Sequence, residues 1–443
     1  MTAIEELSPE AQAALTEILK CTSCGLCKDV CPVFAVSHRE AESPRGKVNL
    51  LQALLEEKID STKEGIDIFN RCLLCYACQD ACPAGVKTEK LWVPARDLLA
   101  REAGAPFFKS YILRKLLSNP ELAKLGYRLA KKLPGDDNRI HVRGKILPRP
   151  AQDRLDKLLP EILEARGKFQ GTVLFFPGCL LTEIFPRVGY QAAELLSNLG
   201  YRVITPKKRG CCGAPQFNNG EMDVAREMAS RNIELFSSLE FDAIVSPDAT
   251  CGGAFHHEYD LLFPEGSPLR QRYQEVLSKV KDFGEYLYDA IFRQESLGFQ
   301  PVDKLVTVHD SCHLSHSQHK ADIPRRLLAF IPDLTMVESD RNELCCGFGG
   351  SYATFFPSES RKIAQRKLGY LTAGNCGVIA VGSPGCLWKL RTEAAELSLD
   401  VRINHYVEIL WESLLGRPLQ EQSGKSNYSQ ATLFDSNEDE ANF

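Results

Sequence analysis

Two short cysteine runs near the start of the chain constrain it more than any other feature. Cys21-x2-Cys24-x2-Cys27-x3-Cys31-Pro32 recurs as Cys72-x2-Cys75-x2-Cys78-x3-Cys82-Pro83. A cube of four irons and four sulfides needs one thiolate on each iron. Three closely spaced cysteines wrap three corners, and the turn that follows carries the fourth away to a second cube. The runs therefore assign Cys21, Cys24, Cys27 and Cys82 to one 4Fe-4S cluster, and Cys72, Cys75, Cys78 and Cys31 to another. Zinc sites pair Cys-x2-Cys units and do not run four thiols into Cys-Pro. Disulfides fit the spacing less well still.

The remaining cysteines make the same case for a reducing compartment. The chain has 17 of them in 443 residues, eight between Cys21 and Cys82 and nine between Cys179 and Cys386. Thiols grouped in tight motifs read as metal ligands or redox groups, whereas a secreted chain spreads them as disulfides. The start MTAIEELSPEAQ lacks the basic and apolar regions of a secretory signal. No apolar run approaches the roughly 20 residues of a membrane span. A cytoplasmic protein is expected, soluble or peripheral on the inner face of the membrane. A net charge of -5 argues against a general nucleic-acid binder.

The second cysteine block repeats itself. Cys179, Cys211 and Cys251 recur as Cys312, Cys345 and Cys386, at offsets of 133, 134 and 135 residues. Each copy opens with an apolar strand pattern (TVLFFPGC; LVTVHDSC), passes through a helix and reaches Cys-Cys-Gly. A long helical pattern follows, and a further strand ends at the last cysteine. Strand, helix, strand, helix, strand is the pattern of a parallel sheet, whose crossovers bring all strand ends of one kind to one rim. Cysteines distant in sequence converge there, where open α/β sheets place their sites. Cys179, Cys211, Cys212 and Cys251 form one candidate set, and Cys312, Cys345, Cys346 and Cys386 the other. Four thiols suit an iron-sulfur centre or zinc; redox-active or vestigial thiols are the plainer readings. Cys376 has no counterpart in the first copy and reads as a buried thiol.

The expected architecture is α+β and multidomain, with a helical two-cluster module followed by two repeated α/β lobes with parallel sheets. The boundaries are 1–100 for the two-cluster module, 101–167 for a basic helical linker, 168–300 and 301–416 for the lobes, and 417–443 for a disordered acidic tail. SPRGKVNLLQALLEEK reads as a helix entered through Pro44 with an apolar face of Val48, Leu51, Leu54 and Leu55. Its Arg45 and Lys47, with Lys28 and Arg71, read either as a solvated basic face or as charge that raises a cluster's potential. From Phe107 to Pro150 there are eleven Lys/Arg against three Asp/Glu. That stretch reads as a helix hairpin packed on the lobes, or as a contact for anionic lipid or a partner. His313 is the histidine with the strongest claim to a role, beside His309, His316 and His319; His256 and His257 have less.

The paired runs, the intervening SPRGKVNLLQ, and lobes containing CCGAP and CCGFGG together resemble the iron-sulfur subunit of bacterial glycolate oxidase and its relatives in lactate oxidation, over most of residues 15 to 410. The N-terminal module is ferredoxin-like. Weaker likeness extends to the glycerol-3-phosphate dehydrogenase iron-sulfur subunit and to heterodisulfide reductase. The resemblance implies a subunit that takes electrons from an FAD-binding 2-hydroxy-acid dehydrogenase and passes them toward a quinone or another membrane acceptor. Hydride chemistry then belongs to the partner, and GxGxxG after a strand is missing here. On this reading the ferredoxin face meets the flavoprotein, while the basic stretch and His313 lie toward the acceptor. The alternatives are a thiol-disulfide reductase and a non-catalytic assembly subunit. Heterodisulfide reductase lobes end in Cys-x2-Cys, and here Asp248 and Ser383 stand at the earlier position, which weakens the reductase reading.

Overall fold

A computed structural model describes residues 9–104, 107–136, 138–142, 145–294 and 297–416. The expected tail 417–443 lies outside the described residues. In the N-terminal module four helices, Pro9–Ile18, Pro44–Leu55, Lys63–Asn70 and Glu89–Ala103, pack around the loops that carry the cysteine runs. The second starts as its sequence dictates. Pro44 occupies the first turn, and the Ser43 hydroxyl accepts from the Gly46 amide at 3.0 Å. Val48 and Leu51 are buried, with Leu54 and Leu55 packed at the edge of the same core as Trp92 and Leu99. Burial of each such side chain contributes on the order of 1.5–3 kcal/mol.

The connector is less purely helical than its composition suggests. Helix Phe107–Tyr111 and the turn Ile112–Leu116 lead to helix Pro120–Ala130, capped by Asn119. The basic residues beyond it form a hairpin of β1 (Arg139–Val142) and β2 (Lys145–Pro148). Pro148 closes β2 inside the stretch expected as a basic helical linker. Strand β3 (Ile162–Leu163) then adds antiparallel to the edge of the first lobe's sheet.

Both lobes have one topology. In the first, β4 (Gly171–Phe175), β5 (Tyr201–Ile204), β6 (Ala243–Ser246) and β7 (Val280–Asp282) run parallel in the order β5-β4-β6-β7, with β3 outside β5. In the second, β8 (Lys304–His309), β9 (Leu334–Met336), β10 (Val378–Val381) and β11 (Arg402–His405) run parallel as β9-β8-β10-β11. Each lobe thus has a fourth parallel strand beyond the three read from the repeat. The lobes share an apolar core and pack reciprocally: helix Pro186–Asn198 meets Tyr406–Leu415, while Ile323–Leu328 meets Phe283–Phe292. First helix on last helix in both directions is the packing of an internal twofold.

Candidate iron-sulfur centres

The N-terminal runs fold into tight coils. Ser23, Leu74 and Tyr76, between the thiols, are left-handed with φ of 56°, 51° and 60°. That conformation costs such residues about 1–2 kcal/mol each. The thiols of the second run meet the last thiol of the first: Cys31, Cys72, Cys75 and Cys78 line one cavity, with Lys47 and Trp92 in its wall. This grouping is the crossed one. Burial pushes the Cys31, Cys75 and Cys78 thiols up. Crowded thiols that resist ionisation in an apolar wall are the donor set that a bound metal deprotonates. The residues therefore fit a cluster. Of the other group, Cys24 is exposed, and Cys21 and Cys82 pack against a common core.

Cations frame these loops differently. Lys28 and Arg45 are both paired with Glu40, at 2.8 Å each, and Arg45 also donates to the Ser23 carbonyl. Lys47 is not part of a solvated face. It is 2% exposed, donates to the Glu42 carbonyl and lies near Cys31. Arg96, also buried, donates to the carbonyls of Phe69, Cys72 and Asn218, tying the second run to the first lobe. Arg71 pairs with Glu42 and with Glu359 of the second lobe.

In each lobe four cysteines converge at the carboxyl rim of the sheet, around the point where the strand order reverses. Cys179 follows β4 and Cys251 follows β6, the two strands on either side of that point. Cys211 and Cys212 come from the loop after β5. Their thiols form a chain in which Cys211 interacts with Cys179 and Cys212, and Cys212 with Cys251. Hydrogen bonds from Cys179 and Cys212 hold Cys211 well below the usual thiol range, at the expense of those two. The second lobe repeats this order through Cys312, Cys345, Cys346 and Cys386, the last two sulfurs 3.0 Å apart. Gly178 has φ +71°, and a Cβ there would lie 2.7 Å from the Cys251 sulfur, so only glycine leaves room for the thiol.

Asp248, at the position of the absent cysteine, caps helix Ala249–Gly253 by accepting from the Thr250 amide at 3.0 Å. Its second oxygen lies 3.8 Å from the Cys251 sulfur, and burial raises its carboxyl to about 6. Glu258, buried near Cys211, is raised to about 8 by burial. The phenol of Tyr127, on helix Pro120–Ala130, approaches Cys179 and Cys211.

The modules touch through their thiols. Cys75 packs in one apolar cluster with Cys312 and Cys345, together with Val33, Leu73 and Ile363. His313 Nδ1 lies 3.6 Å from the Cys312 sulfur and its ring sets edge-on to Tyr76, while His316 bonds to Asp80 at 2.6 Å. His313 is therefore enclosed at the junction of the N-terminal module and the second lobe. Cys376 is buried, its thiol donating to the Leu371 carbonyl. Sequence reasoning offered Lys47 as charge near a cluster and marked Asp248 at the absent cysteine's position, but it missed the burial of Lys47, the cap made by Asp248, and Arg96 altogether. It ranked His313 above His309, yet it is a His309 ring nitrogen that lies within 4.8 Å of the Cys346 and Cys386 sulfurs. The repeat offset held that signal, since it sets His309 opposite Phe176.

The site and fold define a class: residues 17–86 match the 4Fe-4S dicluster domain, and 173–256 and 306–391 each match the cysteine-rich domain built around Cys-Cys-Gly. This chain carries both kinds of domain in that order, and the thiols they gather fit iron-sulfur centres. Within the class it is similar to the probable glycolate oxidase iron-sulfur subunit of Bacillus subtilis, 29% identical over 419 residues, 90% of this chain and 94% of the relative. The glycolate oxidase iron-sulfur subunit of Escherichia coli is 27% identical over 427 residues, 93% and 98% of the two chains. Similarity extends to a dihydromethanophenazine:CoB--CoM heterodisulfide reductase chain of Methanosarcina mazei, 24% identical over 425 residues, 90% and 95%.

Proposed function

We propose that the chain is the electron-relay subunit of a flavin-dependent 2-hydroxy-acid (glycolate or lactate) dehydrogenase, receiving electrons from an FAD-binding partner and delivering them toward a quinone or another membrane acceptor. The observation that carries this reading is the packing of Cys75 against Cys312 and Cys345. Two 4Fe-4S clusters held by the N-terminal thiols would supply one-electron transfer. The protein gives that path two unlike ends. Around Cys24 the loop is open to a partner, whereas Cys75 is enclosed against the second lobe, where Val33 and Leu73 exclude water. The lobe thiols extend the path as further donor sets for iron-sulfur centres. The second lobe's four thiols are all buried, as are Cys212 and Cys251 of the first, which weighs against the thiol-disulfide reductase reading because a disulfide substrate has to reach a sulfur; only Cys179 and Cys211 are partly exposed.

Helix Pro120–Ala130 is the proposed peripheral contact. Leu122, Leu125 and Leu129, at helical spacing, are 44%, 49% and 58% exposed, beside Lys124 and Arg128. No described helix is long and apolar enough to cross a membrane. The function is tested by isolating the native complex and offering glycolate, both lactates and glycerol 3-phosphate. The isolated chain is expected to oxidise none of them, and its visible absorbance is expected to bleach with a 2-hydroxy acid only when the flavoprotein is present. Bleaching by glycerol 3-phosphate alone would move the chain to a different dehydrogenase. Disulfide reduction by the isolated chain would restore the reductase reading.

A further inference from the structure

His309 ends β8 at the rim where the second lobe gathers its thiols. It is 1% exposed, and neither ring nitrogen has a hydrogen-bond partner among the described residues. Leaving a buried polar group unpaired is costly, so a ring with both nitrogens orphaned calls for a ligand. One ring nitrogen and the sulfurs of Cys346 and Cys386 all lie within 4.8 Å of one another. The buried Lys367, whose charge is felt at His309, is already engaged, donating to the carbonyls of Arg341 and Asn342 at 2.7 and 2.8 Å.

The first lobe lacks this feature. The repeat offset of 133 residues places Phe176 at the equivalent position. Phe176 packs edge-on against Phe236 and Phe255, with centroids 5.9 and 5.0 Å away. In the first lobe the group added beside the thiols is the Asp248 carboxyl, 3.8 Å from Cys251. Two copies of one rim therefore carry different fifth groups, a carboxyl in one and an imidazole in the other.

We infer that His309 is a metal ligand, so that the second lobe holds an iron-sulfur centre to which the His309 imidazole is bound alongside the thiolates of Cys346 and Cys386. A neutral imidazole in place of an anionic thiolate makes a centre accept an electron more readily, as histidine does in Rieske-type ligation. Imidazole and thiolate together also suit zinc, and the test separates the two metals. The inference rests on the second lobe holding iron, not on which substrate feeds the chain. For that reason the reductant is dithionite and not a hydroxy acid.

The full chain, produced anaerobically with 14N- or 15N-histidine, is reduced with dithionite and studied by pulsed electron-nuclear spectroscopy. The second-lobe signal is identified as the one lost in Cys386→Ser. That signal is expected to carry a strong nitrogen coupling that scales with the isotope in the wild-type chain, disappears in His309→Phe, and survives in His313→Phe. The midpoint potential of the same signal is expected to fall in His309→Phe. A second-lobe signal with no isotope-sensitive nitrogen, or one whose coupling persists in His309→Phe, would overturn the assignment. So would stoichiometric zinc with no iron signal dependent on Cys386. The wild-type isotope comparison decides the question even if His309→Phe does not fold.

Discussion

Lys47 shows what a single side chain adds to a thiol set. Its ammonium is buried in the wall of the cavity bounded by Cys31, Cys72, Cys75 and Cys78, where charge is poorly screened. Positive charge there favours the more reduced, more negative state of an anionic centre. Lys47→Met keeps the length of the side chain and removes the charge. It is expected to lower the potential of the centre held by those four cysteines by on the order of 60 mV, about a tenfold change in a one-electron equilibrium. The centre of Cys21, Cys24, Cys27 and Cys82 should shift much less. Redox titration followed by electron paramagnetic resonance reads both, and an equal shift in the two would place Lys47 elsewhere in the energetics. The thiols themselves were legible from the sequence because their spacing is local. The burial of Lys47 was not, because the wall around it is completed by Trp92 and Leu73, which join the site only on folding.

At the scale of elements, the repeat and its strand-helix alternation revealed the parallel lobes, since β4, β6, β8 and β10 are apolar runs ended by cysteine motifs. The fourth strands escaped. Val280–Asp282 is three residues long with alternating burial, and Arg402–His405 carries arginine, asparagine and histidine, so neither has the continuous apolar signature of a buried parallel strand. The connector misled in the opposite sense, its basic composition hiding the hairpin β1–β2. Helix Pro120–Ala130 was recognisable as amphipathic, but its inner face was not. Leu122, Leu125 and Leu129 are the exposed residues, while Tyr127 is half-buried, its phenol pushed up by burial and by the nearby Cys179 and Cys211. Replacing Leu125 and Leu129 together by glutamine is expected to weaken binding to anionic lipid vesicles about tenfold, since even partial burial of two leucines is worth on the order of 1.4 kcal/mol. Vesicle co-sedimentation checks this. Unchanged binding would remove the helix from the membrane contact and leave it as a cover over the first lobe.

In the whole molecule, the arrangement that matters joins parts far apart in the chain. Cys75 meets Cys312 and Cys345, Arg71 reaches Glu359, Arg96 reaches Asn218, and Asp80 meets His316. Nothing in the local pattern at either end announces these contacts, which arise because the N-terminal module sits across both lobes. They also give the relay its order, from the exposed loop at Cys24, through the enclosed set around Cys75, to the thiols of the second lobe. The most direct measurement is rapid-freeze electron paramagnetic resonance of the complete complex mixed with its hydroxy acid, comparing the wild-type chain with Cys75→Ser. In the wild type, signals of the N-terminal centres are expected before those of the lobes. In Cys75→Ser, the signal that depends on Cys21, Cys24 and Cys27 should still appear, while reduction of the second lobe is slowed by at least tenfold. Reduction of the second lobe at an unchanged rate in Cys75→Ser would contradict the route.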